Sequence, residues 1–383
     1  MGFNSETFLL FWIVRVTVFI SFILTGYWIS YKKKGSQSYW KGVTPLILLY
    51  SFAEGLRWNR GTDYFNNYIE LTTGKGFSDL SEPLYSLWIS TFHNMNIPYW
   101  MAFLFYSLIL IVSFLSLVKR FPKIASITLP VFFVISSMQS ENLIRQYFAL
   151  SLVIFALVAY FDKRYYLMAL LIIISEGIHF SALVPVIFVL ISVLLAKFYT
   201  PGKPVIPAIL FVLIYFLWDA SYFSTVMDPI LKLIPETDTK MDGYVQSETW
   251  FTAEGSMSML TGSTYAGRSL GKALLQMPTY LFIVIEGYYA TKKIPFLRIC
   301  YWCAYIAILL DITRADIQAY LRFFHWIAFM IPLVVGTIYT ELHLNKSIKT
   351  ISILFLFVYY VWGLMLSNLF VIDPYGYDFI WDR

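Results

Sequence analysis

Apolar residues in this chain come in blocks, with little of the three-to-four-residue alternation that marks a helix lying half in water. Twelve such blocks lie near 7–30, 41–56, 98–118, 124–139, 143–161, 165–178, 180–196, 204–222, 272–290, 295–311, 321–340 and 348–371. A run of about 20 apolar residues crosses the hydrocarbon of a bilayer as a helix. The pattern therefore predicts an all-α, polytopic integral membrane protein with about 12 transmembrane helices, forming a single transmembrane domain over 1–383. Segment 83–96 is apolar but too short to cross, and reads as a re-entrant or interfacial helix on the outer side.

Polar residues between the blocks set the orientation. Lys32, Lys33 and Lys34 follow the first block, and every second loop after it is basic. Those loops carry Lys119/Arg120/Lys123, Lys163/Arg164, Lys197/Lys203, Lys292/Lys293/Arg298 and Lys346/Lys349. The positive-inside rule places them in the cytoplasm and both termini outside. Met1–Thr7 has no Lys or Arg, so the basic start of a secretory signal is missing. Two outer regions exceed ordinary loop length, 57–97 and 223–271, and both are acidic and aromatic. Loops that long are usually functional or disordered, and their composition favours function.

Composition agrees. The 383 residues are 59% hydrophobic and 13% charged, against roughly 45–50% and about 25% in soluble domains. Two cysteines cannot staple a secreted scaffold, and the apolar share excludes disorder. A net charge of +5 on such a chain points to lipid headgroups and away from nucleic acid.

Sorting the basic residues by side sharpens the picture. The cytoplasmic set is mostly lysine, whereas the outer set is mostly arginine: Arg57, Arg60, Arg145, Arg268, Arg314 and Arg322. Lysine suits diffuse attraction to an anionic leaflet, while arginine offers a planar fork to phosphate or carboxylate. Any one of them can snorkel or pair with a nearby acid; together they point to a site for a phosphate or diphosphate headgroup. Arg145 is the best single case, because Arg145 and Gln146 fall in the first turn of a helix, where unbonded N–H groups favour an anion. Its bland alternative is an i,i+4 pair with Glu141. His179 falls between two blocks, where an imidazole can exchange a proton with a sugar hydroxyl or simply cap a helix end. Arg15 and Glu286 are the main charges inside the blocks, and their roles are open.

Other motifs are set aside. Gly262–Ser269 resembles a phosphate-binding loop but has Arg268 where lysine is required and follows no strand. Cys300-Tyr-Trp-Cys303 lies inside a block and reads as two small buried residues. Glu176-x-x-His179 is half of a di-iron motif without its other half. No metal and no cofactor is expected.

The stretch Arg57-Trp-Asn-Arg60-Gly61-Thr62-Asp63-Tyr64-Phe-Asn-Asn-Tyr68, followed by Glu82-Pro83-Leu84-Tyr85, resembles the signature of the EpsG family of Wzy-like bacterial polysaccharide polymerases. Ile144-Arg145-Gln146-Tyr-Phe-Ala149, Ile178-His179-Phe180-Ser181-Ala182 and a late Arg322-Phe-Phe follow in order, covering most of 45–335. The resemblance implies a metal-independent, inverting glycosyltransferase with a helical membrane fold of the GT-C kind. Its implied substrates are repeat units on undecaprenyl pyrophosphate, as donor and acceptor, at the outer face of the bacterial inner membrane. A chain-length regulator and a flippase are the implied protein partners.

On that reading Arg60, Arg145 and Arg322 surround the pyrophosphate, with Arg268 or Arg314 assisting. His179, Asp63 and Glu82 compete as catalytic base, His179 slightly ahead because an imidazole needs less pKa tuning near neutrality. Tyr64, Tyr68, Gln146 and Ser181 are candidate glycan contacts. A ligase or single-addition glycosyltransferase using the same carrier would share these arginines. A flippase would instead line both halves of a pathway with charge.

Overall fold

A computed structural model describes residues 5–31, 39–58, 60–61, 63–76, 82–198, 203–217, 270–313, 318–342, 345–359 and 378–379. Nearly all of them are helical. The elements are α1 (Ser5–Tyr31), α2 (Tyr39–Gly55), β1 (Arg57–Trp58), α3 (Tyr64–Thr73), α4 (Pro83–Asn94), α5 (Tyr99–Val118), α6 (Ala125–Asn142), α7 (Ile144–Phe161) and α8 (Tyr165–Ile178). They continue as α9 (Leu183–Phe198), α10 (Val205–Leu217), α11 (Leu270–Thr291), α12 (Pro295–Thr313), α13 (Gln318–Ile327), α14 (Met330–Glu341), α15 (Lys346–Leu356) and β2 (Asp378–Phe379). Every apolar block of the sequence carries a helix.

Five helical stretches, Leu9–Tyr31, Tyr99–Val118, Pro122–Asn142, Ile144–Phe161 and Pro295–Thr313, are long and apolar enough to cross a membrane, and shorter apolar helices accompany them. This is a polytopic helical membrane protein. The block at 321–340 is split into α13 and α14 because Pro332 lacks the N–H that would bond the Ala328 carbonyl; that carbonyl accepts from Ile331 instead. Segment 83–96 carries the short helix α4, 12 residues long. The block at 204–222 is helical to Leu217, and most of the 223–271 region lies outside the described residues.

The chain divides into two units, residues 1–186 with 360–383, and residues 187–359. In the first, α1 packs on α2 and α6, α5 on α2 and α7, and α7 on α8. Aromatic rings fill the seams: Phe114 stacks on Phe132 with centroids 3.6 Å apart, and Phe22 meets Tyr50 and Phe133 at 5.7 and 5.0 Å. Large aliphatic side chains point outward, among them Leu24 on α1 and Leu170 and Ile173 on α8. Such surface is stable against lipid tails rather than water.

Contacts at one end of this unit gather the basic turns. Ser30 Oγ donates to the Pro122 carbonyl at 3.2 Å, and Tyr39 Oη to that of Leu115 at 2.8 Å. Arg120 pairs with Asp162, and Phe121 meets Phe161 at 5.7 Å. The end of α1, the start of α2, and the α5–α6 and α7–α8 turns therefore share one end. Glu54, Glu141, Arg145 and His179 sit at the opposite ends of α2, α6, α7 and α8.

In the second unit α11 packs on α14, and α12 on α13 and α14. Buried Asp311 accepts from Gln276 Nε2 at 2.8 Å and Tyr280 Oη at 2.5 Å. Cys300 and Cys303 are buried, with Cys303 Sγ donating to Ser192 Oγ at 3.2 Å.

Candidate active site

Two ion clusters occupy the end of the first unit away from the basic turns. The deeper one joins three arginines to two glutamates. Arg15 Nη1 lies 2.7 Å from Glu54 Oε1, and Arg15 Nη2 pairs with Glu141 Oε1. Arg60 Nε donates to Glu141 Oε2 at 2.8 Å. Arg57 donates to the Glu54 carbonyl and lies 3.9 Å from its carboxylate. All five side chains are 3–4% exposed. Their hydration is replaced by one another and by rings: Arg60 lies over Phe11 at 3.9 Å, and Arg57 near Tyr64 and Phe103 at 5.9 and 5.7 Å. The charge at Arg15, left open by the sequence, is thereby explained; Glu286 is half-buried on α11.

Backbone chemistry puts Arg60 there. Gly61 has φ +98°, a left-handed conformation that side chains resist, and a Cβ on it would run into the Glu141 carbonyl. The loop after β1 can press against the end of α6 only because this residue is glycine.

The second cluster surrounds Arg145 in the first turn of α7. Arg145 Nη1 donates to Glu82 Oε2 at 3.0 Å and lies 3.8 Å from Glu70 Oε1. Asp63, at the start of α3, is close enough to act electrostatically on it. Beneath the guanidinium, 5.2 Å from its carbon, lies the Tyr85 ring. The Tyr85 hydroxyl donates to Asn67 Oδ1 at 2.7 Å and reaches Glu70 Oε2 at 3.3 Å. Burial pushes its pKa well above the usual tyrosine value, so it remains a donor. Glu82 also faces His179, whose Nδ1 is 3.8 Å from Oε1.

Exposure separates these groups. Glu70 and Glu82 are 1% exposed at their side chains, whereas Arg145 is 21% exposed. Asp63 is half-buried, the most open of the three proposed bases. His179 is 7% exposed, and its Nδ1 accepts the Ser181 amide at 3.3 Å and meets Ser181 Oγ at 3.0 Å.

The sequence-predicted residues therefore divide. Asp63, Glu82, Arg145, His179 and Ser181 come together. Arg60 belongs to the deeper cluster and is 3% exposed. Tyr64 is fully buried, stacked on Phe103 at 4.7 Å, and Gln146 is 2% exposed, so neither presents a surface to a glycan. Tyr68 is half-buried. Arg322 is half-buried on α13 in the second unit; Arg268 and Arg314 lie outside the described residues.

Sequence reasoning passed over Glu54 and Glu70. Glu54 carried a usable signal: an acid inside one apolar block, with Arg15 inside the block before it, is a pair worth seeking.

Around Arg145 one guanidinium faces three carboxylates, Glu70, Glu82 and Asp63. A fold of apolar helices with a buried ion network at one end defines a polytopic membrane protein with a polar site at one membrane boundary. The EpsG family model matches residues 42–377, and the chain belongs to the EpsG family. No curated protein and no solved structure matches it.

Proposed function

We propose that the protein is a polysaccharide polymerase of the outer face of the bacterial inner membrane. It joins repeat units carried on undecaprenyl pyrophosphate by inverting transfer without a metal. The observation that carries this reading is the EpsG match over 42–377, a family associated with a polysaccharide polymerase role. The ion site at the end opposite the lysine-rich turns supports it, since positive-inside bias puts such turns in the cytoplasm.

In the reaction an acceptor hydroxyl attacks the anomeric carbon of the donor. The new C–O bond forms as the bond to the diphosphate breaks on the opposite side, and the diphosphate leaves with the electron pair. The acceptor proton goes to Asp63, the half-buried carboxylate of the second cluster. Arg145 holds the hydroxyl and the developing charge beside it. Glu82 and Glu70 fix the guanidinium, and His179, itself held by Ser181, lies beside Glu82 at 3.8 Å. An arginine fork stabilises the negative charge of the leaving diphosphate. The local excess of carboxylates around Arg145 argues against a diphosphate there.

The test is incubation of purified protein with lipid-linked repeat units in EDTA, followed by a gel. A ladder of products is expected. A single product band would make it a one-addition transferase or ligase, no product at all would count against transfer chemistry, and a strict requirement for added Mg²⁺ or Mn²⁺ would remove the metal-free mechanism.

A further inference from the structure

Beside Asp63 the chain builds a group of aromatic rings that neither ion cluster uses. Trp58 on β1 meets Tyr68 of α3 at 5.6 Å and Tyr99 of α5 at 6.1 Å, both edge to face. Tyr68 and Tyr99 close the triangle at 4.8 Å and 89°. All three are half-buried, so the rings are fixed in place while part of each stays open. Behind them is firm support: Trp58 also packs on fully buried Tyr64 at 6.0 Å. Phe65, 53% exposed, lies 5.9 Å from Tyr68 at the rim.

We propose that Trp58, Tyr68 and Tyr99 form the subsite for a pyranose ring of the acceptor glycan, placing its neighbouring hydroxyl at Asp63. This rests on the polymerase reading and assigns one substrate part to one surface. Three physical arguments support it. The face of an aromatic ring is electron-rich and takes the C–H face of a sugar, and rigid Trp and Tyr lose little conformational freedom on binding. Tyr68 lies five residues beyond Asp63, a rise of about 7.5 Å, and Tyr64 between them packs on Trp58, so the platform and the carboxylate share the first turns of α3.

The third argument is charge. The helix that carries Tyr68 begins at Asp63, a half-buried carboxylate. Carboxylates accept hydrogen bonds from sugar hydroxyls and repel lipid phosphates. Aromatic residues at a membrane boundary often serve as an interfacial belt, whose usual cationic companions are lysine and arginine. A carboxylate at the head of that helix favours an uncharged polyol over a phosphate.

The test uses full-length protein in phosphatidylcholine nanodiscs and the repeat oligosaccharide freed of lipid and phosphate by mild acid. Saturation-transfer NMR should show the oligosaccharide bound, undisplaced by millimolar inorganic pyrophosphate. Trp58→Ala and Tyr68→Ala should each weaken binding about tenfold or more. As a check independent of folding, a diazirine-bearing oligosaccharide should label wild-type peptides containing Trp58, Tyr68 or Tyr99. Labelling elsewhere, displacement by pyrophosphate, or unchanged affinity in both variants would overturn the subsite. Unchanged affinity with the variants extracted more easily from the membrane would identify an interfacial belt instead. Binding with no polymer ladder from the wild type would sink the polymerase reading and leave the glycan subsite standing; a ladder with no dependence on these rings would do the reverse.

Discussion

Asp63 and Arg145 are the two groups of the second cluster that retain access to a substrate, and their roles separate cleanly by substitution. Asp63→Asn keeps the size of the side chain and removes the proton acceptor. Polymer formation should fall about 10²–10⁴-fold, the usual contribution of a general base, with the protein still in the membrane; near-normal turnover in that variant would exclude Asp63. Arg145→Lys retains the charge but loses the planar guanidinium, whose Nη1 meets Glu82 at 3.0 Å and Glu70 at 3.8 Å. It should fail nearly as completely as Arg145→Ala, read as loss of the product ladder at unchanged expression; full activity in the lysine variant would mean that only charge matters there. Arg145, Asp63, Glu82 and His179 were all legible in the sequence because each lies in a dense motif or at a helix end. What they pair with was not. The partners of Arg15 are 39 and 126 residues away, a separation that no local pattern reports. The same blindness made six arginines look like a cation cluster, when two of them, Arg57 and Arg60, share two buried glutamates with Arg15.

Helices and their ends were easier to read, since a lipid-facing helix is apolar on nearly every side and its blocks are visible without periodicity. Boundaries agree within a few residues for most blocks. The exception is the block broken at Pro332, where one missing N–H ends the hydrogen-bond ladder of a segment whose hydropathy is continuous. At the loop after β1 a single residue decides the geometry. Gly61→Ala would place a side chain at φ +98° and against the Glu141 carbonyl. Left-handed strain of this kind costs on the order of 1–3 kcal/mol, before the clash is relieved. The loop should withdraw, separating Arg60 from Glu141 and moving Asp63, two residues on, away from Arg145. The expected result is a lower melting temperature in detergent together with loss of polymer; wild-type melting and activity would show that the loop has another way to pack.

Across the whole molecule, sidedness ties the sequence to the chemistry. Lysine-bearing turns and the ion clusters sit at opposite ends of the same helices in the first unit, so a membrane threaded by those helices must separate them. The proposed outer-face reaction requires more than separation: it requires the cluster end to face away from the cytoplasm. Single cysteines at Lys123 and Lys163, on the turns joined by Arg120 and Asp162, should react with a membrane-impermeant maleimide only after the cytoplasmic side is opened. A cysteine at Phe65, 53% exposed and two residues from Asp63, should react in intact spheroplasts. The three positions form an internal control, because the helices between them fix their relation whatever the orientation. The reverse pattern would put Asp63 in the cytoplasm and remove the proposed reaction while leaving the fold intact. Labelling of all three from one side would be inconsistent with α2 and α5–α8 crossing the bilayer at all.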